Sequence, residues 1–230
     1  MSFMLLDKLK KSYMGPDGEV PALKNAELEI QKAEFIAIMG PSGSGKSTLL
    51  SIMGAMNPPS SGRLIVDDID VYSLSHEQLA DFRKEYLGFV FQQLQLIPYL
   101  TAVENTMLPL AVKKIANKKG MAMEALMKVG LDSKANRLPN QLSGGEQARV
   151  AIARAIVNEA PVILADEPTG NLDSENSKLI MDLFLKLQSD GHTILIVTHS
   201  PEDAGWAEKI IQIKDGELFD RALPPVHSSC

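Results

Sequence analysis

Cysteine is almost missing from this chain of 230 residues: there is one, and it is the last residue, Cys230. No intrachain disulfide can form, which excludes a disulfide-stapled scaffold and fits a reducing compartment. Long apolar runs are missing as well. No stretch approaches the roughly 18 apolar residues of a membrane span, so work at a membrane needs another chain to supply the spans. The short apolar stretch at the N-terminus is followed by Lys8, Lys10 and Lys11, the reverse of the order in a secretory signal. Basic clusters are also lacking. The chain carries 23 Lys and Arg against 29 Asp and Glu, a net of −6, and nucleic acid is not expected as a partner. There is no internal repeat and no low-complexity tract. Hydrophobic residues make up 45% of the chain, enough for a sizeable core in one large domain or two small ones.

What the chain does have is centred on Phe35–Leu50. The run Phe35-Ile36-Ala37-Ile38-Met39 reads as a buried strand. It breaks into Gly40-Pro41-Ser42-Gly43-Ser44-Gly45-Lys46-Ser47-Thr48 and resumes as a helix-compatible run. This turn matches G-x-x-x-x-G-K-[ST], a phosphate-binding loop in its required strand-before, helix-after setting. Gly43 and Gly45 can take backbone angles closed to other residues. Successive N–H groups can then point at phosphate oxygens at a helix N-terminus. Lys46 supplies charge to the outer phosphates, and the Ser47 hydroxyl suits Mg2+, which takes few protein ligands.

The remaining chain reads as strands and helices in alternation. Residues 3–13 and 20–30 form two strands around Gly15-Pro16-Asp17-Gly18. Residues 63–71 read as a strand pair with an Asp-Asp turn. Ser75–Gln78 is a capping box opening a helix that ends near Gly88. A strand at 87–91 runs out at Gln92. From 94 to 160 the pattern is mostly helical, with Thr101–Glu104 as a second capping box. Helices are expected at 121–129, closed by Gly130, and at 147–158, with Lys113, Lys114, Lys118 and Lys119 as a solvated helix end and loop. Buried strands at 162–167 and 193–198 flank a helix at 174–189 that Gly191 ends. Pro201 starts another helix, and a hairpin turns at Asp215-Gly216. The tail 221–230 has no apolar period and is expected to fray. Apolar strands alternating with helices give an α/β fold, a mostly parallel sheet covered on both faces.

In such a sheet, ligands sit beyond the carboxyl ends of the strands. Four strands end in polar residues: at Gly40, at Gln92, at Asp166-Glu167 and at His199. Adjacent on a strand end, Asp166 and Glu167 should diverge, Asp166 toward Mg2+ and Glu167 toward an attacking water. Each residue has a plainer reading: two solvated acids, a core histidine, a glutamine after a strand. Their convergence is the stronger signal. Leu142-Ser143-Gly144-Gly145-Glu146 is a capping box by its plainer reading, but two glycines in a first turn are costly for a cap. They suit a backbone that something must approach closely, a second anion-facing helix start. Two such surfaces in one chain suggest two chains sharing two ATPs.

Together these motifs resemble the ATPase subunit of ATP-binding-cassette (ABC) transporters, from Tyr13 to the hairpin at 215–219. The resemblance implies the ABC ATPase fold: a P-loop NTPase (RecA-like) core, an antiparallel β subdomain and a helical insertion. That makes one nucleotide-binding domain over 1–230, with its core at 1–93 and 161–220 and its helical subdomain at 94–160. Gly40–Thr48 resembles Walker A, and Lys46 carries over as a catalytic residue. Gln92 is similar to the Q-loop glutamine, which touches Mg2+ and links the site to the membrane partner. Asp166 and Glu167 resemble Walker B, a metal ligand and the catalytic glutamate. His199 matches the switch histidine near the γ-phosphate, and Tyr13 the aromatic that stacks on adenine. Ser143–Glu146 resembles the signature that caps the ATP of the opposite subunit, and Asp173 the D-loop residue that crosses the interface.

The motifs look most like the lipoprotein-release, macrolide-export and cell-division subgroup. That implies a head-to-tail dimer hydrolysing Mg-ATP at the cytoplasmic face of a membrane. The partner implied is a separate membrane subunit with few spans and a large extracytoplasmic domain. Glu146 in place of glutamine, Ala148, and Ala33 at a turn where glycine is usual are departures that touch none of the catalytic set. Two alternatives remain at this point: a soluble ATP switch in DNA repair or translation, and a weakly hydrolytic scaffold subunit.

Overall fold

Alternation along each central strand decides the architecture. In Phe35–Met39, residues 35 and 37 pack with one hydrophobic cluster and residues 36 and 38 with another; Ile163 and Ala165 part from Val162 and Leu164 in the same way. Successive side chains on a strand point to opposite faces, so a strand apolar throughout needs a layer on each side. The computed structural model describes residues 2–16 and 18–221 and contains both layers. Asp17 of the first turn and the tail 222–230 lie outside the described residues.

Strands β1 (Met4–Gly15) and β2 (Gly18–Ile30) form an antiparallel pair. Next come β3 (Phe35–Met39) and α1 (Lys46–Met53). β4 (Ser61–Val66) and β5 (Ile69–Asp70) flank Asp67 and Asp68, both at positive φ, as a tight hairpin turn requires. The antiparallel sheet has the order β2-β1-β4-β5. α2 (His76–Tyr86) leads straight into β6 (Leu87–Val90). The helix therefore ends before the expected Gly88. That glycine lies in the strand, where a Cβ would meet the Ala155 carbonyl at 2.2 Å.

The stretch 94–160 holds α3 (Ala102–Met107), α4 (Lys118–Lys128) and α5 (Gly144–Ile156), joined by short 3-10 turns. Lys118 and Lys119 open α4 rather than lying in a loop, because Asn117 caps the helix through the Gly120 N–H. Likewise α5 begins at Gly144 and not at 147, with Ser143 as its cap. β7 (Val162–Asp166), α6 (Ser174–Ser189), β8 (Thr193–Thr198), α7 (Pro201–Ala204), β9 (Lys209–Lys214) and β10 (Glu217–Arg221) complete the chain. The larger sheet has the order β10-β9-β3-β8-β7-β6 and is parallel except for β10.

Ala33, in the turn before β3, sits at φ 58. Its N–H donates to Thr193 Oγ1 at 3.0 Å and its carbonyl accepts from Gln188 Nε2 at 3.0 Å, which holds the strained backbone in place. Left-handed backbone costs an L-residue about 1–2 kcal/mol, while glycine gives back about 0.5–1 kcal/mol in unfolded-chain entropy. Ala33→Gly should therefore stabilise the fold by about 0.5–1 kcal/mol. A urea unfolding curve with a raised midpoint and unchanged slope is the expected outcome.

Candidate functional site

Strand register sets the site. Met39 pairs with Thr198, so Gly40 and His199 leave the sheet at one level. Val90 pairs with Ala165, which carries Gln92 and Glu167 forward together. The four polar strand ends expected to converge do meet. With Tyr13 and Ala22 they line a cleft of about 850 Å3 whose remaining lining is Gly40–Gly43 and Gly45–Thr48, Asp166 among the acids. A hollow of about 910 Å3 between α4 and α6 holds none of the residues that the sequence singles out.

The phosphate loop is built by close contacts. A Cβ on Gly40 would meet the Ile213 carbonyl at 2.2 Å, and one on Gly45 the Ala22 carbonyl at 2.4 Å. Gly45 lies at φ 108 and Gly43 at φ 77. The Gly216 N–H donates to the Ser44 carbonyl at 3.2 Å, so the β9–β10 turn props the loop from below. Lys46 Nζ donates to the Gly40 and Pro41 carbonyls, each at 2.8 Å. α1 then starts without a side-chain cap and with no acidic residue in its first turn. Each other α-helix has its cap, from Ser75, Thr101, Asn117, Ser143, Asp173 or Ser200. First-turn N–H groups must find an acceptor. Here they are left for a ligand, and the positive helix end favours an anion.

Across the cleft the second acid sits on a turn that the sequence does not announce. Glu167 has φ 44, so the chain leaves the strand there while its N–H still donates to the Val197 carbonyl at 2.8 Å. The turn keeps Glu167 in the same cleft as Asp166. Glu167 Oε2 accepts from Gln92 Nε2 at 2.8 Å, and Oε1 lies 3.0 Å from His199 Nδ1. Burial pushes the Asp166 carboxyl up, and the neighbouring Glu167 charge pushes it further; Lys46 opposes both. Two acids held this close call for a cation. Among the described residues no group of three His, Cys, Asp or Glu forms a metal cage. The Ser47 hydroxyl, the Gln92 amide oxygen and the Asp166 carboxylate are all hard oxygens. A few such donors plus phosphate oxygens suit Mg2+.

Tyr13 stands at the cleft edge, 43% exposed, its hydroxyl accepting from Asn57 Nδ2 at 2.8 Å and Lys11 Nζ lying 5.2 Å from the ring centre. Ser143, Gly144, Gly145, Glu146 and Asp173 line no part of this cleft. They fold as caps. Ser143 N–H donates to Glu146 Oε2 at 2.9 Å and Ser143 Oγ accepts from Glu146 N–H at 3.3 Å. The Lys134 ammonium beside Glu146, with the Ser143 N–H, holds that carboxyl below the usual range. Asp173 caps α6 through the Asn176 N–H at 2.8 Å. The two glycines part company. A Cβ on Gly145 would meet Asn176 Oδ1 at 2.1 Å, whereas one on Gly144 would meet only Leu172 Cδ2, at 3.6 Å. The need for Gly145 is internal; among the described residues nothing requires Gly144.

Some residues of the site have no signal in the sequence. Ala22 reaches the cleft only through the pairing of distant strands. Arg154, near the end of α5, donates to the carbonyls of Gln95 at 2.7 Å and Leu94 at 2.6 Å. Leu94 and Gln95 are consecutive non-glycine residues at positive φ (52 and 48), just beyond Gln92. Buried Asn105 holds the chain that follows, accepting from Ile97 N–H at 2.7 Å and donating to the Leu100 carbonyl at 2.9 Å.

An uncapped helix entered through this glycine loop at the carboxyl edge of a parallel sheet, faced by acids, defines a P-loop nucleoside triphosphatase. The profile of the ABC transporter family matches residues 23–170. The ABC transporter ATP-binding protein YvrO of Bacillus subtilis is 48% identical over 217 residues, covering 94% of this chain and 95% of that one. Macrolide export ATP-binding/permease protein MacB of Campylobacter fetus is 42% identical, and the match spans 93% of this chain but 34% of MacB. The dimeric structure of the ABC transporter cassette MJ0796, whose curated sequence is from Methanocaldococcus jannaschii, superposes with a TM-score of 0.88 at 44% identity, covering 97% of this chain and 100% of that one. A second MJ0796 structure, a post-hydrolysis dimer bound to ADP and Pi, superposes with a TM-score of 0.87. The chain belongs to the ABC transporter family: it is an ATP-binding-cassette ATPase.

The contrast between the glycines can be measured on the nucleotide-free chain. Gly145→Ala should destabilise it by about 1–3 kcal/mol through overpacking against Asn176. Gly144→Ala should leave stability unchanged or raise it by up to about 1 kcal/mol, as alanine favours a helix. Thermal unfolding of the two variants checks this.

Proposed function

We propose that two copies of this chain, head to tail, close on two Mg-ATP and hydrolyse them to drive a separate membrane subunit of the export or lipoprotein-release type. The observation that carries this reading is Glu167, held between Gln92 and His199 and facing the uncapped start of α1. The phosphates rest on the N–H groups of residues 42–48 and on Lys46, and the adenine stacks on Tyr13. Ser47 and Asp166, with help from Gln92, would hold Mg2+, which would supply positive charge against the phosphates. Glu167 accepts a proton from the attacking water, or polarises it, while His199 orients that carboxylate and approaches the γ-phosphate. With its proton on Nδ1, the imidazole donates to Glu167. In-line attack then needs alignment more than any further chemistry.

The second copy completes the site. Its Ser143–Glu146 would cover the γ-phosphate, with Asp173 reaching across the interface. Gly144 supports this, since its bare surface has no purpose within the chain. The stretch 94–160 would act as the helical subdomain that carries this signature. The dimeric state of both MJ0796 structures, and the ADP and Pi bound in one of them, agree with it.

Among the described residues no helix is long and apolar enough to cross a membrane. MacB proteins join an ATP-binding part to a permease in one chain. For this chain the membrane part would be a separate subunit with few spans and a large extracytoplasmic domain, placing the ATPase at the cytoplasmic face. A groove of about 470 Å3 offers the contact, lined by Met56, Phe89, Phe91, Pro109 and Val112 with Arg83 at its side. It lies along β6, whose next residues lead to Gln92, so a helix seated there would act directly on the site.

Glu167→Gln should keep ATP binding and lower turnover by about 100–10,000-fold, the range for loss of a general base. Bound to ATP it should run as a dimer on size exclusion, and adding Gly144→Ala should weaken that dimer. Full turnover in the purified Glu167→Gln variant would remove Glu167 from its role. Tagged Glu167→Gln with Mg-ATP should also capture the membrane subunit from detergent-solubilised membranes. Adding Val112→Asp, an exposed position in the groove, should abolish capture and leave ATP binding intact.

A further inference from the structure

Glu167 and His199 lie on two separate turns, one after β7 and one after β8. Their own contact is a single hydrogen bond on the rim of the cleft, and His199 is largely exposed. Exposed hydrogen bonds alone hold geometry poorly, since water competes for each partner. Behind them lies a second, buried link. Thr169 Oγ1 donates to Asp203 Oδ2 at 2.5 Å, and the two residues are 5% and 7% exposed. Thr169 follows Glu167 by two residues across Pro168, whose ring restricts the backbone between them. Asp203 lies four residues beyond His199, in α7. Residues of both links, Glu167, Thr169, His199 and Asp203, line one small pocket of about 270 Å3.

The geometry around this pair is over-determined. Glu167 is held at φ 44 with its carbonyl accepting from Gly170 N–H at 3.1 Å. The Thr169 carbonyl accepts from Leu172 N–H at 2.9 Å, which closes the turn toward Asp173. Asp203 N–H donates to Ser200 Oγ at 3.2 Å and fixes the turn after His199. Each turn is thus rigid within itself, and beyond the backbone bond from Glu167 N–H to the Val197 carbonyl, Thr169–Asp203 is the buried side-chain bond that joins them. A carboxylate removed from water needs such a partner, and a hydrogen bond to a charged group is stronger than a neutral one. Neither residue lines the nucleotide cleft.

We propose that Thr169 and Asp203 are a positioning pair: their buried hydrogen bond sets the spacing of the two turns, and so the alignment of Glu167 and His199 on the attacking water. The proposal rests on Glu167 having the role given above. A shift of about 1 Å between these turns is of the size that costs roughly 100-fold in rate. The pair acts on turnover and not on nucleotide affinity, because the phosphate loop is carried by other elements.

Steady-state ATPase assays on the full chain test this. Thr169→Val should lower kcat by about 10–100-fold while KM for ATP stays within about twofold. Thr169→Ser, which keeps the hydroxyl, should restore kcat to within about threefold of the parent. Thr169→Val leaves a buried carboxylate without its partner, so the Thr169→Val/Asp203→Leu double variant is the control for folding. Replacing both partners with apolar groups of similar size is close to neutral for stability. The double variant should melt within about 5 °C of the parent and still turn over slowly. A double variant with parental kcat, or Thr169→Val with parental kcat, overturns the proposal. Glu167→Gln measured alongside separates the two readings. If it stays fully active, the role of Glu167 fails; if it is inactive while Thr169→Val is unimpaired, only the positioning pair fails.

Discussion

Everything at the nucleotide cleft depends on one constraint: β3, β6, β7 and β8 run parallel and in a fixed register. Parallel strands end at the same edge, so residues more than a hundred positions apart in sequence leave the sheet side by side. A one-residue slip would turn every side chain of a strand to the opposite face. Here that would exchange the two hydrophobic clusters as well as misplace the acids. The packing that stabilises the sheet therefore also sets the active geometry.

A second constraint is the opposite treatment of two kinds of helix start. Ser143 and Asp173 satisfy their own helices, with Glu146 and Asn176 as the respective partners. α1 is left open, and its loop is held from outside by the β9–β10 turn and by the Lys46 bonds to Gly40 and Pro41. A loop shaped before ligand arrives loses less entropy on binding than one that must be ordered. The glycines at 40 and 45 are needed for close approach by neighbouring strands as much as for backbone freedom.

Much of this is legible in the sequence because it is local. Apolar runs of five or six residues, glycines at turns and serine caps announce themselves, and polar residues after strands mark the edge where ligands bind. What is not legible is the outcome of distant packing. Gly88 reads as a helix stop and is a strand residue pressed on Ala155. Asp166 and Glu167 read as consecutive strand-end residues, and the left-handed backbone of the second has no signal in the sequence. The glycine pair of the signature reads as one feature, and only Asn176, thirty-one residues further on, separates the reasons for each. The side chains of Arg154 and Asp203 have no local signal for their partners. Their partners are a backbone turn and a threonine on other elements.

The grip of Arg154 gives α5 a meaning beyond that of a packed helix. One end of this rod presents Ser143 and Gly144 outward; near the other, Arg154 holds Leu94 and Gln95. At 1.5 Å per residue Gly144 and Arg154 are roughly 15 Å apart along the axis, and a helix buried along most of its length does not bend at will. Whatever pulls on the signature end is felt at the segment next to Gln92 without an intervening joint. In the head-to-tail pair proposed above, the two nucleotide sites would then be reciprocal sensors, each reading the occupancy of the other through a single stiff lever.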